Sequence, residues 1–164
     1  MATLSQRISP MFWFDTQAEE AAAFYTSIFP NSRILSTVRY SPEASQAAGR
    51  PEGSVMVVDF QLDGQSFSAL NGGPVFRFTE AISLVVSCRD QAEVDHYWGK
   101  LSAGGDPGAQ QCGWLKDRFG VSWQVVPAIV RELMADPGKG RRAMAAVLKM
   151  KKLDVAEIQR AAQG

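Results

Sequence analysis

From Ile8 to Phe14 the chain is apolar at nearly every position, with Ile8, Pro10, Phe12 and Phe14 on one alternating set and Met11 and Trp13 on the other. Such a run suits a strand covered on both faces. The period then changes. Ala18, Ala21, Phe24, Tyr25 and Ile28 form the stripe of an amphipathic helix that stops near Pro30-Asn31. Ser32 to Tyr40 reads as a second strand. Ser41 to Gly53, rich in Pro, Ala, Ser and Gly, predicts an exposed loop. Val55 to Phe60 and Gln65 to Leu70 predict a hairpin about Asp63-Gly64.

The order then recurs. Ala81 to Ser87 predicts a strand, Val94, Tyr97, Trp98 and Leu101 a helix face, and Gly104 to Gly108 a loop. Gln111 to Leu115 and Val121 to Val126 predict a second hairpin, turning at Asp117-Arg118-Phe119-Gly120. A short phrase registers the two halves: Thr16-Gln17-Ala18-Glu19 returns as Asp90-Gln91-Ala92-Glu93. Thr16 with Glu19 and Asp90 with Glu93 match the capping box, in which two side chains satisfy free backbone N–H groups at a helix start. The hairpin glycines, Gly64 and Gly120, lie closer together than the two phrases, so the second half is the shorter. Two copies of strand–helix–strand–strand–strand, about 5–74 and 78–128, make one α+β domain over 1–135.

Residues 136–164 predict a helical tail. Asp136-Pro137 gives an N-cap and a first-turn proline. Met144, Val147, Leu148 and Lys151 continue a face, and Asp154 with Glu157 opens a last helix bearing Val155, Ile158 and Ala161-Ala162. Helices this short are not stable alone. They must dock on this domain or on a second copy.

Composition narrows the function classes. At 164 residues, 46% hydrophobic and 21% charged, the chain is long enough for one globular core. Lys plus Arg and Asp plus Glu are both 17, so the basic surplus that nucleic-acid binding needs is missing. No apolar run approaches the roughly 18–20 residues of a membrane span, and Met1 to Arg7 does not read as a secretory signal. The two cysteines, Cys88 and Cys112, have no metal-type spacing. A cytoplasmic location with reduced thiols is expected, with no nucleic-acid or membrane partner.

Candidate chemistry is sparse. Gln124, with Ser122 and Val126, alternates against Trp123 and Val125, so one set faces a cleft or a neighbouring strand. Cys112 begins a strand beside Trp114, and Cys88 precedes a helix start; both read more readily as packed thiols than as nucleophiles. His96, between Asp95 and Tyr97, sits on a solvated helix face. Phe12, Trp13, Phe14, Trp114 and Trp123 read as core, with some rings able to line an apolar cleft. Asn71-Gly72-Gly73-Pro74 opens no helix and so is no phosphate cradle. Lys149, Lys151 and Lys152 read as a solvated face.

Several phrases together resemble one family: Phe12-Trp13-Phe14-Asp15, Ala18-Glu19-Glu20-Ala21, Phe24-Tyr25, Ile28-Phe29-Pro30, Gln111-Cys112-Gly113-Trp114-Leu115-Lys116-Asp117, Gly120-Val121-Ser122-Trp123-Gln124 and Met150-Lys151-Lys152-Leu153. The chain resembles the PhnB-like family of the vicinal oxygen chelate superfamily, which includes glyoxalases, extradiol dioxygenases and antibiotic-resistance proteins. The resemblance implies two βαβββ modules that form a cleft, and a homodimer. Metal-dependent members hold a divalent ion with His, Gln and Glu side chains. Those positions fall here near Pro10, Ser83, Ser68 or Ala69, and Gln124, of which only Gln124 has a ligand-type side chain. The expected function is therefore binding of a small organic ligand in an apolar cleft without the superfamily's metal, with Phe12, Ser83, Cys112, Trp114 and Gln124 as cleft candidates. No cofactor and no catalytic residue are assigned. The alternatives are a metal-assisted lyase or isomerase of glyoxalase type, and a methyltransferase, because the family is often labelled as resembling a demethylubiquinone methyltransferase.

Overall fold

The alternating runs of the first half form β1 (Met11–Phe14), β2 (Arg33–Arg39), β3 (Val55–Leu62) and β4 (Gln65–Asn71), with α1 (Ala18–Thr26) after β1 and α2 (Pro42–Ala48) after β2. The structure is a computed structural model, and it describes residues 6–164. Residues 1–5, with the start of the first predicted module, lie outside the described residues. The chain divides into two compact units, Met1–Arg77 and Phe78–Gly164.

In the first unit the sheet order is β1-β4-β3-β2, with β1 parallel to β4 and the other pairs antiparallel. Period-two alternation sends Phe12, Phe14, Val58, Phe60, Phe67 and Ala69 to one face, where all are buried. Helix α1 covers that face with Ala18, Ala21, Ala22 and Tyr25. The alanines let the helix approach closely, and the Tyr25 ring fills the space over Phe12 and Phe60, with centroids at 6.1 and 6.4 Å. Within this unit the opposite face is open. Trp13, Val57, Asp59, Ser68 and Leu70 are half-buried there, and Met11 is exposed. Within this unit α1 covers β1 on one side, and on the other the Phe76 ring meets Trp13 edge-on at 4.9 Å.

Two local expectations change. The stretch Ser41–Gly53 contains helix α2, capped by Ser41 Oγ, which accepts from Ala44 N, and ended by Gly49 at φ 64°. It buries no residue, so no apolar stripe announced it. Helix α1 has no capping box: its N-cap is Gln17, with no side-chain cap, and Asn71 Oδ1 on β4 accepts from Ala18 N instead.

The second unit contains β5 (Leu84–Cys88), α3 (Gln91–Ser102), a 3-10 turn (Pro107–Ala109), β6 (Trp114–Lys116) and β7 (Ser122–Pro127). Its sheet has three strands in the order β5-β7-β6. The strand expected after the helix is replaced by the 3-10 turn. Asp106 closes that turn by accepting from Gly108 N, and Gly105 lies so near β6 that a Cβ there would stand 2.0 Å from the Lys116 carbonyl oxygen. Asp90 does cap α3, accepting from Glu93 N.

Strand β7 runs directly into α4 (Ala128–Met134), a helix the pattern does not announce, followed by α5 (Pro137–Val147) and α6 (Val155–Gln163). The predicted caps Asp136 and Asp154 both form. The three helices share a small core of Val130, Ala143, Val147, Leu153, Ile158 and Ala162, and so dock on their own unit. Cys112 N and Gly113 N donate to the carbonyls of Met150 and Lys151, tying the Gln-Cys-Gly-Trp phrase to the Met-Lys-Lys-Leu phrase. Among the described residues, no helix is long and apolar enough to cross a membrane.

Candidate functional site

Strand β7 presents Trp123, Val125 and Pro127 to the buried side of the second sheet and Gln124 and Val126 to the other. The register aligns Gln124 with Val85 on β5 and with Trp114 on β6. These three side chains form one row across that face, within the second unit. Ser83, just before β5, joins the row by accepting from Gln124 Nε2 at 2.9 Å. The amide's NH2 group is thereby engaged, while its oxygen has no such partner within this contact.

Asp117 fixes the hairpin that carries this row. One carboxylate oxygen accepts from Phe119 N at 2.8 Å and Val121 N at 3.1 Å; the other accepts from Trp123 Nε1 at 2.8 Å. A buried carboxylate with three donors is anchored, and it holds β6 against β7. In the next row Lys116 pairs with Ser122, and Lys116 Nζ meets the exposed Glu80 carboxylate, holding Glu80 below the usual carboxylate range. Ser122 is 2% exposed and its Oγ has no hydrogen-bond partner among the described residues, so this end of the face is left unsatisfied. At the other end lies a depression of ≈ 280 Å³, lined by Val85, Ser87 and Val126 of the sheet and by Arg131 and Glu132 of α4.

Of the five predicted cleft residues, Ser83, Trp114 and Gln124 therefore meet on one surface. Cys112 does not join them. It packs against the helical tail, at φ 53° in the turn before β6. Phe12 is in the core of the first unit, its ring among Phe14, Tyr25, Phe60 and Phe67. Cys88 is 1% exposed, and burial, reinforced by Glu93 and Asp90, pushes its thiol up to about 12. It is a packed, protonated thiol. His96 lies on α3 with its ring edge-on to Tyr97 at 5.0 Å.

The donors on this surface do not suit a divalent ion. Among the described residues there is no group of three His, Cys, Asp or Glu side chains able to hold one. Ser83 and Gln124 are neutral, and the Lys116 ammonium and Glu80 carboxylate near them are paired with each other. Asp117, Lys116 and Asp59 were not among the expected site residues. Asp59 had a visible signal, a charge inside the apolar run Val55–Leu62.

The model of the family described as 3-demethylubiquinone-9 3-methyltransferase matches residues 6–126. Among solved structures, the chain is similar to a PhnB protein from Bacillus cereus, at 37% identity and a TM-score of 0.63, over 75% of this chain and all of that one. It is similar to protein PA1353 from Pseudomonas aeruginosa at 21% identity, TM-score 0.58, over 75% of this chain and 98% of the other. It also shares a fold with the fosfomycin resistance protein FosX from Listeria monocytogenes, solved with Mn(II) and sulfate, at 14% identity, TM-score 0.51, over 81% of this chain and 98% of the other. No curated protein sequence matches the chain.

Proposed function

Because the chain belongs to the PhnB-like family described as 3-demethylubiquinone-9 3-methyltransferase, with the glyoxalase/bleomycin-resistance fold of the vicinal oxygen chelate superfamily, we propose that it binds a small organic molecule on the open face of its second sheet, without a metal ion. The observation that carries this reading is the Gln124–Ser83 pair beside Trp114. A glutamine on a sheet face, with its NH2 engaged and its orientation thereby fixed, presents an acceptor of known direction. Trp114 and Val85 flank it and offer apolar area on either side. Few polar groups amid apolar walls is the usual composition of a small-molecule site. A homodimer, as the family resemblance implies, is part of the proposal.

The test is a thermal-shift screen of small apolar and aromatic compounds carrying an O–H or N–H donor, on metal-analysed protein purified without chelator. A hit should raise Tm in wild type and lose most of its shift in Gln124→Ala and Trp114→Ala. Hits unaffected by both substitutions, or stoichiometric bound metal, would sink the reading.

The methyltransferase in the family's description is the second reading, favoured by that description itself. A nucleotide-type site for S-adenosylmethionine needs a glycine-rich turn from strand to helix. The strand-to-helix turns after β1, β2 and β5 are Asp15-Thr16-Gln17, Tyr40-Ser41 and Arg89-Asp90, and β7 runs directly into α4; none of them contains a glycine. Calorimetry with S-adenosylmethionine is expected to give no heat of binding; micromolar affinity would reverse the order of the two readings. A lyase or isomerase of glyoxalase type depends on a metal that the donors on the second sheet do not suit.

A further inference from the structure

Strand β3 lies inside the first sheet, between β4 and β2, and Asp59 stands in the middle of it. Aspartate is among the residues least suited to such a position. Its side chain is on the open face, and the register places Ser68 on one side and Ser36 on the other. Ser36 Oγ donates to Oδ2 at 2.8 Å and Ser68 Oγ donates to Oδ1 at 2.6 Å. The two hydroxyls fix the carboxylate in line with the row. They do not neutralise it, and no basic side chain pairs with it among the described residues. Each oxygen of a carboxylate accepts about two hydrogen bonds, so each retains capacity after its serine is counted.

The adjacent row on the same face is apolar: Trp13, Leu70 and Val57 align across β1, β4 and β3. Trp13 is held there. Its Nε1 donates to the Gly73 carbonyl at 2.8 Å, and the Phe76 ring meets it edge-on at 4.9 Å. A fixed negative point thus lies beside a fixed aromatic and aliphatic strip, about 7 Å along the strand direction, the rise of two residues. Arg33 is one row further out on the other side, opposite Gln61.

We propose that this face is a binding site for a small molecule carrying a protonated amine next to an apolar or aromatic group, with Asp59 as its anchor. An ammonium has three donors and no acceptor, and it matches a carboxylate whose own hydroxyl partners already occupy its flanks. A divalent ion does not match: one carboxylate and two neutral hydroxyls fall short of the oxygen set such ions take. The assignment goes beyond the reading of the second sheet and does not depend on it.

The experiment titrates full-length protein with 2-phenylethylammonium, with neutral 2-phenylethanol and anionic 3-phenylpropionate as matched probes, followed by amide NMR shifts. Saturable shifts on β3 and β4 are expected for the amine, with much weaker binding of the other two. Asp59→Asn should weaken the amine by about tenfold, the scale of losing a charge-assisted contact. Ser36→Ala and Ser68→Ala should weaken it severalfold, and Gln124→Ala should leave it unchanged. Equal binding of the neutral probe, unaltered affinity in both Asp59→Asn and the serine variants, or shifts confined to other elements would overturn the proposal. A variant that self-associates in sedimentation while binding the amine like wild type would also overturn it. Asp59 would then be a charge that keeps the sheet from pairing with another copy.

Discussion

The two units close the start of their first helix by different means. In the first, the cap comes from far along the chain. Asn71 Oδ1 accepts from Ala18 N at 2.8 Å, its Nδ2 donates to the Val55 carbonyl at 3.1 Å, and its own carbonyl accepts from the Tyr40 hydroxyl at 2.8 Å. In the second, Pro127 holds the same register, opposite Cys88 as Asn71 is opposite Phe14. Proline has no side-chain acceptor, and α3 is closed by its own Asp90. One unit uses a buried, neutral, long-range cap and the other an exposed, charged, local one. A repeated sequence phrase therefore marks repeated topology, while the interactions that hold each copy are separate solutions.

The largest expected effect comes from breaking the long-range cap. Asn71→Ala leaves Ala18 N and the Val55 carbonyl without their side-chain partner inside the first unit. Chemical denaturation should show a loss of about 2–3 kcal/mol, the penalty for orphaned buried groups. Asp90→Ala, at an exposed cap, should cost about 1 kcal/mol. Equal losses would erase the distinction between the two caps.

Glycines sharpen the comparison with opposite signs. A Cβ at Gly72, in the first unit, would lie 2.2 Å from Trp13 Cζ2, so Gly72→Ala should destabilise by about 1–3 kcal/mol through overpacking. Gly99, inside α3, has nothing within 4 Å, so Gly99→Ala should stabilise by about 0.5–1 kcal/mol through helix propensity. Thermal melts of the two variants should move in opposite directions.

The shared glutamine of the phrase differs as well. Gln91 Oε1 accepts from Val155 N at 2.8 Å and its Nε2 donates to the Leu153 carbonyl, pinning the start of α6 to α3. Gln17 only begins α1 and makes no side-chain cap. Gln91→Ala should cost about 1 kcal/mol, the net worth of such bonds, and should raise hydrogen exchange in α6 above all. Gln17→Ala should change stability by no more than a few tenths of that.

Much of this was legible in the residues, and the rest failed for stated reasons. Strand alternation and turn glycines located both hairpins, since they depend on local chemistry at Asp63-Gly64 and Asp117 to Gly120. The Asp90, Asp136 and Asp154 caps were readable because cap and helix are adjacent. Asn71 was not, because its partner lies 53 residues away, beyond any window of local pattern. Helix α2 escaped because it buries nothing. At the candidate site, alternation found the Gln124 face, and register brought Ser83 and Trp114 to it. Alternation could not tell which face of β1 is core, so Phe12 was placed with the cleft candidates although its ring lies against α1.

The smallest effect is the dependence on pH, and it follows from the charge difference between the caps. Glu93 is held below the usual carboxylate range by the Arg89 side chain and then by the Arg89 backbone N–H. Asp95 is lowered by Lys152 and then Gln91, and Asp136 by the backbone N–H of Lys139. A carboxyl whose folded pKa is depressed contributes stability above its unfolded pKa and loses it as pH falls through the folded value. Their ordinary values are 4.5 and 3.8, so the contribution is present near neutrality and fades as pH falls below that range. Asp95 and Asp136 are exposed and Glu93 is half-buried, and solvent screening keeps each contribution small. The Asn71 amide does not titrate there. Between pH 6 and pH 3, with intrinsic exchange rates corrected, protection should fall at the starts of α3 and α5 before it falls at the start of α1. A matching early loss at α1 would mean that its neutral cap is not what holds that helix end.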